Sequence, residues 1–177
     1  LMYLIGKKTI NEKAALLAAF LTAVTVGLIQ TAHYGVTESM LLFLLLALAS
    51  YALDAVQKNA YVPRHWYAMA VLCGLALGTK SSALSFLLIP GTAGALLFLR
   101  TRDRRIVWSA LPLCLVTLMV FFLVCPYSFL KFSAFADTMR YESDVVWGRV
   151  LVPYTLQFHN TLPYWFFFKN LHWHAGL

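Results

Sequence analysis

Eight side chains stand out as able to handle a charged or hydroxyl-bearing ligand: His33, Glu38, Lys80, Arg140, Arg149, Tyr154, Gln157 and His159. Glu38 lies in Thr31-Ala32-His33-Tyr34-Gly35-Val36-Thr37-Glu38-Ser39, where an apolar helix begins. One reading is structural: Thr37 caps the helix and an acid in the first turn answers the positive end of the helix dipole. The other is functional: Glu38 and His33 face an aqueous cleft, because ionisable groups near membrane depth are costly and mark substrate paths. Lys80 interrupts apolar sequence in Gly74-Leu75-Ala76-Leu77-Gly78-Thr79-Lys80-Ser81-Ser82. It either snorkels to the interface or, above small residues that let helices approach closely, offers a point charge to a lipid phosphate. Between Arg149 and Trp165 the chain is rich in aromatic side chains and prolines. Anchoring in the aromatic belt of a bilayer accounts for the Tyr and Trp there, but not for Arg149, Gln157, His159 and Asn160.

Several chemistries are not supported. There is no glycine-rich nucleotide loop, no His-x-x-x-His pair and no Gly-x-Ser-x-Gly elbow. His172 and His174 flank Trp173 without a third ligand, so a divalent metal is not indicated by the sequence. Cys73, Cys114 and Cys125 lie in apolar runs without ligand spacing and read as buried free thiols. The net charge of +7 is concentrated in short loops between apolar runs, which argues against nucleic-acid binding.

The elements that position these residues follow from composition. Hydrophobic residues make up 61% of the 177 and charged ones 12%, with a mean hydropathy of +0.73. A soluble domain is nearer 45–50% apolar and about 25% charged. A bilayer core about 30 Å thick takes roughly 20 apolar residues as a helix. Runs of that character cover residues 14–32, 37–56, 82–99 and 106–125, with a shorter one at 66–78. Leu and Ala dominate the first two, which favours helix, and Pro112 sits near the start of the last, where it is tolerated or kinks the helix. After Pro126, Phe132, Phe135, Ala136, Met139, Ser143 and Val146 recur at helical spacing opposite Asp137, Arg140, Tyr141 and Asp144. That pattern describes an amphipathic helix lying on the membrane. The expectation is an all-α polytopic transmembrane bundle of about five helices, one membrane-embedded unit over residues 1–177, with residues 126–169 forming a loop region on its outer face.

Basic residues orient the spans, since Lys and Arg concentrate in cytoplasmic loops. Lys7, Lys8 and Lys13 precede the first run, Lys58 and Arg64 follow the second, and Arg100, Arg102, Arg104 and Arg105 separate the fourth from the fifth. These segments alternate correctly for one side. The His33–Glu38 corner, the Lys80 corner and everything after Pro126 then share the outer face of a multi-pass membrane protein, in the plasma membrane if the source is bacterial. The first residue is Leu1 and no signal-peptide pattern precedes the first run, so the chain reads as an internal piece of a longer protein.

The order of "TAHYGVTES", "GLALGTKSSALSFLLIP" and "CPYSFLKFSAFADTMRYESDVVWGRVLVPYTLQFHNTLPYW" resembles the dolichyl-phosphate-mannose-protein mannosyltransferase-like membrane glycosyltransferases, which have the GT-C fold. The resemblance implies a polyprenyl-phosphate sugar donor used on the outer face, with inverting transfer to an acceptor hydroxyl on a protein, lipid or glycan. It implies that Glu38 stands where the family commonly has an Asp, a second acid belonging to an outer loop upstream of this chain, and that Lys80 matches a lysine of the same helix corner. Under that reading Glu38 is the base, while Lys80, Arg140 and Arg149 contact phosphate or sugar and His33, Tyr154, Gln157 and His159 line the substrate site. A transporter or lipid-handling protein with a polar outer cleft would use the same spans and basic loops.

Overall fold

The computed structural model describes residues 1–158, 161, 162, 165 and 168–171; the side chains of residues 157 and 158 are outside that description, as are all of His159, Asn160, His172 and His174. Among the described residues the regular structure is entirely helical. The chain opens with α1 (Met2–Thr9) and α2 (Glu12–Val24). These form a tight hairpin in which a side chain at Gly6 would stand 2.8 Å from Ala15 Cα. Asn11 starts α2 by accepting a hydrogen bond from the Ala14 amide. Lys8 ties the hairpin to the rest through Asp54 Oδ1 at 2.8 Å and Ser50 Oγ at 2.9 Å.

The first apolar run is not one straight helix. It breaks at Thr25, where α2 and α3 (Val26–His33) meet at 54°. The hydroxyls of Thr22 and Thr25 donate back to the carbonyls of Ala18 and Leu21, a competition with the backbone ladder that bends helices. Thr25 itself is extended, and its carbonyl accepts the first amides of α3.

Three segments have the length and hydropathy to cross a membrane: α4 (Thr37–Gln57), Ser81–Thr101, and Arg104–Val124; the bent α2–α3 pair is a fourth if it acts as one span. The second of these begins as a 3-10 segment, Ser81–Leu87, before α6 (Leu88–Thr101). The third is α7 (Arg104–Trp108) and α8 (Ala110–Val124), which adjoin at Ser109. These helices, with no sheet among the described residues, make the chain a multi-pass integral membrane protein.

The short apolar run becomes α5 (Pro63–Thr79), opened by proline at its first position. Its 17 residues reach roughly 26 Å, short of a full bilayer core. It is also the most enclosed helix, burying Trp66, Met69, Ala70, Cys73 and Ala76 against α4, α6 and α8. Gly74 and Gly78 allow this. A Cβ on Gly74 would lie 2.6 Å from Val120 Cβ and 2.7 Å from the Thr117 carbonyl oxygen, and one on Gly78 would lie 2.7 Å from Val124 Cγ1. Thr117 in turn donates its hydroxyl to the Ala70 carbonyl at 3.1 Å. The rising residue numbers on both sides make α5 and α8 parallel neighbours joined by a small-residue seam.

Beyond α8 come the short α9 (Tyr127–Leu130) and α10 (Phe132–Val146). Phe121 and Phe122 of α8 meet Phe135 and Phe129, so α10 rests on the end of the bundle. Of the stripe, Phe135, Ala136 and Met139 are half-buried, whereas Phe132, Ser143 and Val146 are exposed and Val145 is buried instead.

Candidate functional site

Residues at the two ends of α4 divide the molecule electrostatically. At the C-terminal end stand the basic residues of α1, of the loop after α4 and of the α6–α7 loop. Asp54 answers Lys8 there, and Asp103 accepts from the backbone and guanidinium of Arg105. The hydrogen bond from Arg105 holds the Asp103 carboxyl below the ordinary range for an aspartate. At the other end of α4, roughly 24 Å away by helical rise from Glu38 to Asp54, lie Glu38 and Lys80.

Two local devices bring Glu38 to that end. First, α3 closes on a Schellman turn: the Gly35 amide bonds the Ala32 carbonyl and the Val36 amide bonds the Thr31 carbonyl, with Gly35 left-handed at φ +62. Second, α4 starts at Thr37, which puts Glu38 in its first turn. Thr37 does not cap the helix as one sequence reading had it. The cap position is Val36, without a side-chain bond, and the Thr37 hydroxyl lies 3.3 Å from Glu38 Oε2.

Lys80 is fixed from the other side. Its backbone is extended, its amide bonds the Ala76 carbonyl to end α5, and its carbonyl accepts from Ala83 to begin the 3-10 segment. Because α4 and α5 run antiparallel, the two ends meet over a small apolar cluster of Leu44, Ala76 and Ala83, with Leu41 and Phe86 packed beside it. Above this floor Lys80 Nζ lies 2.7 Å from Glu38 Oε1, with the two side chains 46% and 48% exposed. Both charges are therefore reachable by a ligand, and each already holds the other.

A cavity of about 290 Å³ lies between the bent α2–α3 and α4, with Thr22, Thr31 and Ser39 among its lining residues and neither Glu38 nor Lys80 among them. The Ser39 hydroxyl is buried without a hydrogen-bond partner. Sequence reasoning passed over it, since a serine in a first turn reads as ordinary solvated surface; the bend at Thr25 creates the cavity that makes it notable.

The other candidates are not gathered at this point. His33 is exposed at the end of α3 and meets Tyr34 edge-on. Arg140 pairs with Asp137 one turn away on α10 at 3.2 Å. Arg149 pairs with Asp144 at 3.0 Å. Tyr154 is exposed in the 3-10 segment Pro153–Phe158. The Gln157 side chain and His159 lie outside the described residues. Among the described residues there is no group of three or more His, Cys, Asp or Glu placed to hold a metal ion.

A family model described as dolichyl-phosphate-mannose-protein mannosyltransferase matches residues 1–129. The chain belongs to this family. Membership places it among glycosyltransferase-like membrane proteins, and the match takes in His33, Glu38 and Lys80 but ends before Arg140, Arg149 and the tail. No curated protein matches this mannosyltransferase-family chain, and no solved structure does.

Proposed function

We propose that the chain is the part of a membrane glycosyltransferase that moves a sugar from a polyprenyl-phosphate donor to an acceptor hydroxyl on the extracytoplasmic face. The observation that carries this reading is the half-exposed Glu38–Lys80 pair at the end of the bundle opposite the basic loops. The positive-inside rule makes that end external, and five crossings, with α5 as the short central one, give the alternation.

In the proposed reaction the acceptor oxygen attacks the anomeric carbon, the carbon–oxygen bond to the lipid phosphate breaks, and Glu38 takes the acceptor's proton. The departing phosphate gains negative charge, which Lys80 answers at the moment it develops. The pair as it stands is the resting arrangement. A donor phosphate drawing Lys80 away releases Oε1 for the acceptor. The transfer chemistry in this account rests on Glu38 and Lys80, since Asp137 and Asp144 already engage Arg140 and Arg149.

Sugar transfer by the full-length protein, measured against donor concentration, tests the assignment. Lys80→Ala should raise the donor KM at least about tenfold, with Lys80→Arg keeping charge but not point geometry and recovering only part. An unchanged donor dependence in Lys80→Ala would reduce the lysine to a snorkelling residue.

A further inference from the structure

At the basic end of the bundle, α6 and the α7–α8 segment enclose a groove of about 350 Å³ that nothing in the transfer chemistry uses. One wall runs from Leu87, the last residue of the 3-10 segment, along α6 to Phe98, roughly 16 Å by helical rise, about half of a 30 Å hydrocarbon core. The groove exists because the facing residues are small. Gly91 has nothing within 4 Å of where a side chain would start, and Gly94 lies against the Trp66 ring. Gly91, Ala95, Ala110 and Cys114 are exposed, so it opens sideways, toward lipid.

The chemistry at the groove's inner end is cationic. The loop that closes it reads Arg100-Thr101-Arg102-Asp103-Arg104-Arg105, four arginines against one aspartate. Asp103 is taken by Arg105, and among the described residues Arg100, Arg102 and Arg104 have no acid partner. The Arg102 guanidinium sits 6.0 Å from the ring centre of Phe98, itself part of the groove wall, and Arg102 is held there in the left-handed conformation that ends α6. Trp66, 5% exposed, closes the floor with the edge of its six-membered ring against Gly94.

From these features we infer that the groove is a binding site for an anionic phospholipid of the leaflet on the basic side. One acyl chain lies between α6 and α8, and the phosphate is held by Arg100, Arg102 and Arg104. A depth of one leaflet suits an acyl chain. Clustered arginines at a membrane surface attract anionic headgroups electrostatically, while the groove selects where the chain lies.

The test is lipid retention by the full-length protein in native mass spectrometry, titrated with palmitoyl-oleoyl phosphatidylglycerol or with phosphatidylcholine of the same chains. One phosphatidylglycerol should bind at least about tenfold more tightly than phosphatidylcholine. Gly91→Leu, which fills the groove from a position with room for a side chain, should abolish that tight site. Replacing Arg100, Arg102 and Arg104 with Gln should remove the preference for the anionic lipid. Equal retention of the two lipids would overturn the inference, as would an undiminished tight site in Gly91→Leu. Sugar transfer is not the readout, so failure of the proposed chemistry leaves this result standing.

Discussion

Adding one methyl group at Gly74 should separate α5 from α8 and loosen the corner that holds Lys80. The new Cβ would stand 2.6 Å from Val120 Cβ and 2.7 Å from the Thr117 carbonyl oxygen, whereas carbon contacts settle near 3.5–4.0 Å. The helices must therefore part by about 1 Å. The carbonyl belongs to the α8 backbone and cannot rotate aside. Overpacking of this kind costs about 1–3 kcal/mol, and stretching the Thr117–Ala70 hydrogen bond adds up to about 1 kcal/mol. Alanine's better helix propensity returns about 1 kcal/mol, leaving Gly74→Ala destabilised by up to about 3 kcal/mol. Gly91→Ala is the control: it also replaces a glycine within a helix but meets nothing within 4 Å, so it should be neutral or gain about 0.5–1 kcal/mol. Unfolding of the two variants by SDS titration, from mixed micelles, gives the comparison. A Gly74→Ala protein as stable as Gly91→Ala would refute the close seam between α5 and α8.

Gly35→Ala should cost about 1–2 kcal/mol in the same titration, because an L-residue resists the left-handed turn that ends α3, and nothing crowds the added methyl there. Gly35→Asn should recover part of that loss. In intact cells, an impermeant thiol reagent should label Tyr154→Cys and leave Arg102→Cys untouched; the opposite pattern would reverse the orientation on which the outer site depends.

Much of the bundle was legible because hydropathy reports on lipid contact, and α4, α6 and α8 appear in the sequence as long apolar runs with charges only near their ends. What hydropathy could not show is how helices are enclosed by one another. The run at 66–78 looked too short to span, yet it forms the centre of the bundle, because Gly74 and Gly78 shorten the distance to α8 and its neighbours cover its polar positions. The break at Thr25 left no proline or charge as a sign; it comes from hydroxyls bonding their own helix.

The site was legible as two lone charges and illegible as a pair. Glu38 and Lys80 each interrupt apolar sequence, but they are 42 positions apart, and only the antiparallel register of α4 and α5 sets them within one hydrogen bond. The arginines of the tail show the reverse. Arg140 and Arg149 looked available for phosphate, but acids three and five positions earlier already engage them. Glu38's other sequence reading, a charge answering the helix dipole, remains compatible with its place in the first turn of α4, and the two roles differ in what they predict for turnover.

Turnover of Glu38→Gln is the measurement that separates them most directly. Glutamine keeps the size and the hydrogen-bonding oxygen but cannot take a proton. Sugar transfer from a polyprenyl-phosphate donor, expressed per folded molecule of the full-length protein in detergent, should fall by about 10²–10⁴-fold if Glu38 is the base. Near wild-type turnover, accompanied only by a stability change of about 0.3–1 kcal/mol, would contradict the account and leave Glu38 as a partner of the helix dipole.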